Sequence, residues 1–363
     1  MPFNAMPAKI PTSGVCLKVL FVIPGPTEGH SMIFARRQAA ACRAHGIEVH
    51  EFCLVSRTSP LVLLREWVRL RRELKKIRPS VIHAQYGSMT ALFAAMCGHR
   101  RTPLVITYRG SDLNALPTDR SVRAWVARLA SQVASLRASR VICVSKALQQ
   151  RLWWATERAV VLPTGVDTEE FCPGSRTEAR QRLGWPQGQK IVLFVLGSGG
   201  ANKRRDLAKA AMDRLRRRMP EVALKVAEGQ VPPCEMPDWM RAADCLLLTS
   251  DREGSPTVIQ EALATNLPIV SVDVGDVAER MEGVRNTAVV ERDPEKIAMA
   301  LAEILETDSR TDGRKKIAEF SSAVIAEALA GIYRRLMASP SLEAGSTAGR
   351  SARPALETGA RDQ

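Results

Sequence analysis

The sequence predicts an α/β protein: two Rossmann-like domains, each an open parallel sheet. Three observations lead there. The chain has 363 residues, enough for two domains of ordinary size. Short apolar runs at 17–23, 81–84, 104–107, 191–196, 245–248 and 269–272 read as strands buried on both faces, as parallel sheets require. Helical patterns separate these runs, and the alternation begins afresh after a stretch near 171–176, so each half builds its own sheet. Ligands of such sheets gather beyond the carboxyl ends of the strands, which directs the search for function to the loops after strands.

Composition narrows the class. A hydrophobic content of 45% is ordinary for a globular protein. The formal net charge of +14 favours acidic partners: nucleotides, anionic lipid surfaces or nucleic acid. The eight cysteines are scattered, with no C-x-x-C and no His-x-x-x-His pair, so neither a zinc site nor a disulfide framework is indicated. Free thiols in a reducing cytoplasm are the simplest account. No apolar run approaches the ~20 residues of a membrane span, and Lys18 interrupts the run that a signal peptide would need.

Taken in order, residues 1–14 read as a loose leader. The strand at 17–23 leads into the turn Pro24-Gly-Pro-Thr-Glu-Gly-His30, a helix over 31–45 stopped by Gly46, and a strand over 47–55. Gly25 and Gly29 stand apart, so the turn is not the G-x-G-x-x-G of a dinucleotide dehydrogenase. Residues 60–78 predict a helix with the apolar stripe Leu64, Trp67, Val68, Leu74 and Ile77. Its other faces carry Arg65, Arg69, Arg71, Arg72, Lys75, Lys76 and Arg78. Such a helix packs on the core with a solvated charged face, or lies on an anionic membrane. The strand at 81–84 carries His83, a candidate cleft residue whose plainer role is structural. The strand at 104–107 ends in Tyr108-Arg-Gly-Ser-Asp112, where Arg109 is suited to a phosphate or an acceptor.

The second half opens with a strand at 191–196, then Gly197-Ser-Gly-Gly-Ala-Asn-Lys203 and a helix from about Arg204. A glycine-rich turn feeding a basic helix start suits phosphate, although it is not a P-loop. A strand at 223–227 precedes a loop, 228–233, at the same carboxyl edge. The most informative stretch is Ser250-Asp-Arg-Glu-Gly-Ser-Pro-Thr-Val-Ile-Gln-Glu261. It follows the strand at 245–248 and enters a helix running to about 266, with Ser255 as N-cap and Pro256 as first helical residue. Free N–H groups at that helix start, beside a glycine, attract anions. Glu253 at the mouth and Glu261 within the helix can hold two hydroxyl-bearing parts of one ligand. A late helix spans 323–337, and residues 338–363 are rich in Ser, Ala, Gly, Thr and Arg and read as disordered.

The spacing Glu-x7-Glu with Gly-x-Pro between, flanked by Met240-Arg-Ala-Ala-Asp-Cys-Leu-Leu-Leu-Thr-Ser250 and by Val274-Gly-Asp-Val-Ala-Glu279, resembles the donor-binding signature of retaining glycosyltransferases of the GT-B fold, family 4. The wording is most similar to members that build bacterial cell-surface polysaccharides of the teichuronic-acid type. The resemblance implies that Glu253 contacts the donor sugar, that Gly254, Ser255 and Pro256 hold sugar or diphosphate through their backbone, and that Glu261 holds the ribose. Lys203 matches the family lysine that neutralises the leaving diphosphate. The upstream arginine is absent, with Arg204 or Arg205 available instead. Tyr108 to Asp112 resembles the family's His-Gly-x-Asp segment, with Arg109 in place of histidine and with Gly110 and Asp112 matching. Gly25 and Gly29 fall in the family's acceptor-side loop.

The resemblance therefore implies a metal-independent, retaining transferase with no cofactor, using a nucleoside-diphosphate sugar and a glycan or lipid-linked acceptor. The expected division is 15–172 for the acceptor-side domain, 173–322 for the donor domain and 323–337 for a helix returning to the first domain. The protein would sit in the cytoplasm or at the inner membrane face, with an anionic membrane surface as a partner. Two alternatives stand beside this reading. One is a sugar-nucleotide epimerase of the same fold, which would show no acceptor-dependent transfer. The other is a basic nucleic-acid-binding protein, against which the aromatic content of 5% and the lack of a recognition module argue.

Overall fold

The structure, a computed structural model, describes residues 17–26, 32–55, 59–114, 122–197, 200–229 and 231–338. The expected leader, Gly29 and the tail from 339 onward lie outside the described residues. The first half alternates β1 (Lys18–Pro24), α1 (Ile33–Ala44), β2 (Glu48–Leu54), α2 (Pro60–Ile77), β3 (Val81–Ala84), α3 (Ser88–Cys97), β4 (Leu104–Tyr108), α4 (Val122–Arg137), β5 (Arg140–Cys143), α5 (Lys146–Gln149) and β6 (Ala159–Val161). The second alternates α6 (Arg176–Leu183), β7 (Ile191–Gly197), α7 (Arg205–Leu215), β8 (Ala223–Glu228), α8 (Met236–Ala242), β9 (Cys245–Leu248), α9 (Thr257–Ala264), β10 (Ile269–Val272), α10 (Val277–Met281), β11 (Thr287–Val290), α11 (Pro294–Thr307), α12 (Arg314–Ile317) and α13 (Ser322–Ala338).

The strands pair in parallel into a sheet ordered β2-β1-β3-β4-β5-β6 and another ordered β11-β10-β9-β7-β8. In both, the strand order reverses beside the first strand: between β1 and β3, and between β7 and β9. Those reversals are where the loops diverge and leave a crevice at the carboxyl edge. Each sheet has an apolar helix layer on both faces, so every residue of β3, β4, β9 and β10 is buried. The last helix, α13, packs on α1 and on the first sheet through Ile325, Leu329, Ile332 and Tyr333.

Two local expectations are corrected. The buried face of α2 is Leu70, 0% exposed, with Leu63, Trp67, Leu74 and Ile77 packed beside it. Leu64 and Val68, expected on that stripe, are 60% and 38% exposed. Two apolar rows run side by side on this helix, and periodicity alone does not say which one meets the sheet. At the start of α9, Pro256 is the N-cap and Thr257 the first helical residue. Ser255 does not cap the helix. Its hydroxyl donates to Asp276 Oδ2 at 2.8 Å instead.

Candidate active site

The two crevices face one another, and the loops at their mouths are stitched together. In the second domain, the turn after β7 is tied to the turn after β9. Thr249 Oγ1 donates to the carbonyls of Lys203 and Arg204 at 2.8 and 3.1 Å. Asp251 N donates to Asn202 O at 2.9 Å, and Asn202 Nδ2 donates to Arg252 O at 2.8 Å. This brace places Lys203 Nζ 2.7 Å from Glu253 Oε1, each side chain 17% exposed. Arg204, in the left-handed region at φ 51°, turns away and pairs with Asp206 and Asp251.

Gly254 is where the domains meet backbone to backbone. A Cβ there would lie 2.0 Å from the carbonyl oxygen of Arg109, and one on Gly110, at φ 145°, would lie 3.0 Å from Gly254 N. Only residues without side chains allow that approach. Just beyond it, α9 begins with no side chain capping its first N–H groups. These groups and the helix dipole make a site for negative charge. One turn in, Glu261 accepts from Arg37 Nη1 of α1 at 3.4 Å, while Arg37 Nη2 donates to Glu170 at 3.1 Å. Burial, resisted by Arg37 and reinforced by Glu170, pushes the Glu261 carboxyl up to about 7.

The first-domain candidates divide differently. The Arg109 guanidinium, expected at a phosphate or acceptor, donates to protein acceptors: Gln85 O at 2.9 Å, Thr164 Oγ1 at 2.9 Å, Gln38 Oε1 at 3.1 Å and Gln85 Oε1. It also lies over the Phe34 ring at 4.4 Å. Asp112 accepts N–H bonds from Gly87, Arg109 and Gly110 at 2.8–3.1 Å, so it shapes the turn and presents Gly110 to Gly254. His83 does not line the cleft. It is 0% exposed, between Tyr333 Oη at 2.6 Å and Thr107 Oγ1 at 2.7 Å, and burial holds its pKa at about 3. Gly25, at φ 110°, donates its N–H to Leu54 O and closes the end of β1.

The structure thus brings Lys203, Glu253, Gly254, Pro256 and Glu261 to one edge, facing the Arg109–Asp112 turn. Sequence reasoning missed Arg37, Thr249 and Gln85. Arg37 lies 224 positions from Glu261, and nothing local marks it. Thr249 follows an apolar strand, and that strand end was the one signal available.

Residues 25–170 match the family model described as Glycosyltransferase Family 4, and 178–307 match Glycosyl transferases group 1. A Bacillus subtilis protein, named as a candidate teichuronic acid biosynthesis glycosyltransferase, TuaC, is 30% identical over 222 residues, 56% of each chain. The match therefore spans little more than half the length of that relative. The fold superposes on sucrose-phosphate synthase from Thermosynechococcus elongatus, with a TM-score of 0.74, 18% identity, and coverage of 89% of this chain and 99% of that one. It also superposes on Anabaena HepE, solved in complex with UDP and glucose, with a TM-score of 0.69, 18% identity, and coverage of 88% and 99%.

Proposed function

The chain belongs to glycosyltransferase family 4, with the GT-B fold, and from that premise we propose that it transfers a sugar from a nucleoside-diphosphate sugar to a glycan or lipid-linked acceptor with retention of configuration. The observation that carries this reading is the convergence of Lys203, Glu253 and Glu261 around the uncapped start of α9. The nucleoside-diphosphate class is carried over from the Anabaena relative, which was solved with UDP and glucose. The cell-surface polysaccharide setting is carried over from the relative named for teichuronic acid biosynthesis.

In this reading the ribose hydroxyls donate to ionised Glu261. The diphosphate takes the free N–H groups of α9 and the ammonium of Lys203. An ammonium has three donors, so Lys203 can keep its bond to Glu253 while meeting a phosphate oxygen. Glu253 orients the sugar through its second oxygen. The bond from the anomeric carbon to the diphosphate oxygen breaks, and the acceptor oxygen bonds that carbon on the same face. The acceptor proton goes to the departing phosphate. Negative charge on the leaving group grows through the transition state, where fixed positive groups act most. Arg109 is a positioning residue, holding the turn that meets Gly254.

The basic helix α2 is proposed to bring the first domain to an anionic membrane surface when the acceptor is lipid-linked. No helix among the described residues is long and apolar enough to cross a membrane. The donor reading is tested by calorimetric titration with a panel of nucleoside-diphosphate sugars. Selective binding by the parent, weakened about ten- to hundredfold in Glu261→Ala, is expected for the loss of charge-assisted hydrogen bonds. Equal affinity of the two proteins overturns the ribose assignment. Binding without transfer to any glycan or lipid-linked acceptor, but with conversion of the donor sugar, would favour the epimerase.

A further inference from the structure

The helix layer formed by α2, α3 and α4 holds a groove that the donor and acceptor reading leaves unused. Its volume is about 930 Å³, and it is lined by the C-terminal parts of α2 and α3, the segment 98–102 and the end of α4. These segments lead into the amino ends of β3, β4 and β5. The groove therefore lies at the sheet edge opposite the carboxyl-edge crevice, and it is not part of the active site.

Its charge is one-sided. Arg71, Lys75, Arg78, Arg100, Arg101 and Arg137 line it, and no carboxylate does. Among the described residues none of these six is within ion-pairing distance of a carboxylate, although the chain forms such pairs at many other places. Arg71 lies over the Trp67 ring at 4.8 Å, and Arg137 donates to the carbonyl of His99 at 2.8 Å. Burial and the neighbouring Arg100 hold the Arg137 guanidinium below the ordinary arginine value. Like charges crowded in this way repel one another, and a bound anion relieves that repulsion.

The floor and surroundings are apolar. Leu74 and Leu92 line the floor, with Met96 64% and Val133 40% exposed. The same helical face continues toward the other ends of α2 and α4 with Leu61 75%, Leu64 60%, Val122 77% and Trp125 61% exposed. Over residues 60–78, 88–102 and 122–138 the sequence holds twelve Lys or Arg against two Asp or Glu. Cations alone would suit a nucleic acid. Cations set among exposed Leu, Val, Met and Trp suit a surface that is anionic outside and apolar beneath, as a bilayer is.

We propose that this groove receives the phosphate headgroup of an anionic membrane phospholipid, so that the first domain lies on the bilayer through its α2–α3–α4 face. The proposal rests on the membrane reading of α2 and adds a defined headgroup site to it.

The test compares two charge-matched variants of the full chain in co-sedimentation with phosphatidylglycerol and with phosphatidylcholine vesicles at physiological salt. One carries Arg78→Gln, Arg100→Gln and Arg101→Gln within the groove. The other carries Arg65→Gln, Arg72→Gln and Lys76→Gln on α2 outside it. The parent is expected to bind phosphatidylglycerol vesicles and not phosphatidylcholine ones. The groove variant should lose about a hundredfold in affinity, from about a fivefold share for each of three cations, and the outer variant at least tenfold less than that. Met96→Gln, which leaves the charge unchanged, should also weaken binding, which a purely electrostatic attachment would not show. Unchanged sugar-nucleotide affinity in all variants verifies their folding. Equal losses in the two triple variants overturn the groove while leaving α2 docking intact. A parent that ignores phosphatidylglycerol overturns both. Duplex DNA bound through the groove arginines, with no vesicle binding, assigns the surface to nucleic acid and also overturns the proposal.

Discussion

Glu261 carries an unusual combination: a carboxyl raised to about 7 by burial at the position proposed to accept ribose hydroxyl protons. Only the ionised form accepts at both oxygens. Donor affinity should therefore rise as pH climbs through about 7, and Glu261→Gln should flatten that rise in a calorimetric titration series. A parent with flat affinity across this range would remove Glu261 from the ribose. Stability runs the other way. The folded carboxyl keeps its proton up to about 7 while the unfolded one releases it near 4.5. The unfolded chain thus binds fewer protons over that window, and this group's contribution to stability falls as pH rises through it. Lys203 supports a second prediction. Lys203→Ala should lower kcat on the order of a hundredfold with a smaller change in KM, since the phosphate charge it meets is largest in the transition state. A change confined to KM would limit Lys203 to ground-state binding. Glu253, Glu261 and Lys203 could be placed near one edge from the sequence because each sits at a fixed offset from a strand or helix end, while the roles expected of them came from the family resemblance. Arg109 was legible as a cleft-edge residue, but its partners were not. Gln38, Gln85 and Thr164 come from three separate segments, and no spacing records that meeting.

The decisive element is the turn between β9 and α9, and its geometry depends on Gly254. A Cβ at 2.0 Å from the Arg109 carbonyl meets backbone, not a flexible side-chain end, so the contact is relieved only by moving one domain from the other. Gly254→Ala should keep each domain folded, with thermal unfolding close to the parent's, while parting the cleft. Displacement of about 1 Å between reacting groups can cost on the order of a hundredfold in rate, so a loss of at least that size in kcat/KM is expected. Retained activity in the alanine variant would mean that this approach is dispensable. The turn could be read as a strand–helix junction, but the partner that requires its glycine could not, because Arg109 lies 145 positions earlier in the chain. For α2 the helix and part of its buried face, Trp67, Leu74 and Ile77, were legible, while its centre at Leu70 was not. Two adjacent apolar rows satisfy the same period, and only the position of Phe52 and Leu54 beneath Leu70 selects between them.

At the scale of the whole molecule, the chain crosses between domains twice. It passes outward after β6 and returns at Ser321, which bridges to Val166, before α13 seals the first sheet. The alternation that predicted two parallel sheets is local in sequence and survived intact. The return of the last helix was implied by resemblance alone, because its apolar face does not say which sheet it covers. His83 ties the last helix to the first sheet. Its Nδ1 receives the Gln85 amide at 3.2 Å and the Tyr333 hydroxyl at 2.6 Å, which leaves Nε2–H to donate to Thr107 at 2.7 Å. The imidazole is thereby fixed neutral, its pKa lowered from 6.5 to about 3 by burial and, secondarily, by the Arg109 charge. Below 6.5 the unfolded chain gains a proton at His83 that the folded one refuses until about 3. Stability must therefore fall as pH drops through this window, at up to about 1.4 kcal/mol per pH unit from this group. Carboxylates titrate in the same range, so the comparison has to be made against a variant. His83→Gln keeps a polar side chain between Thr107 and Tyr333 and removes the titration. In urea unfolding at a series of pH values, the parent should lose stability more steeply than His83→Gln between 6.5 and the acid limit of folding. Parallel slopes would show that the imidazole takes up its proton inside the folded first domain, and that the return helix is not held by a neutral histidine.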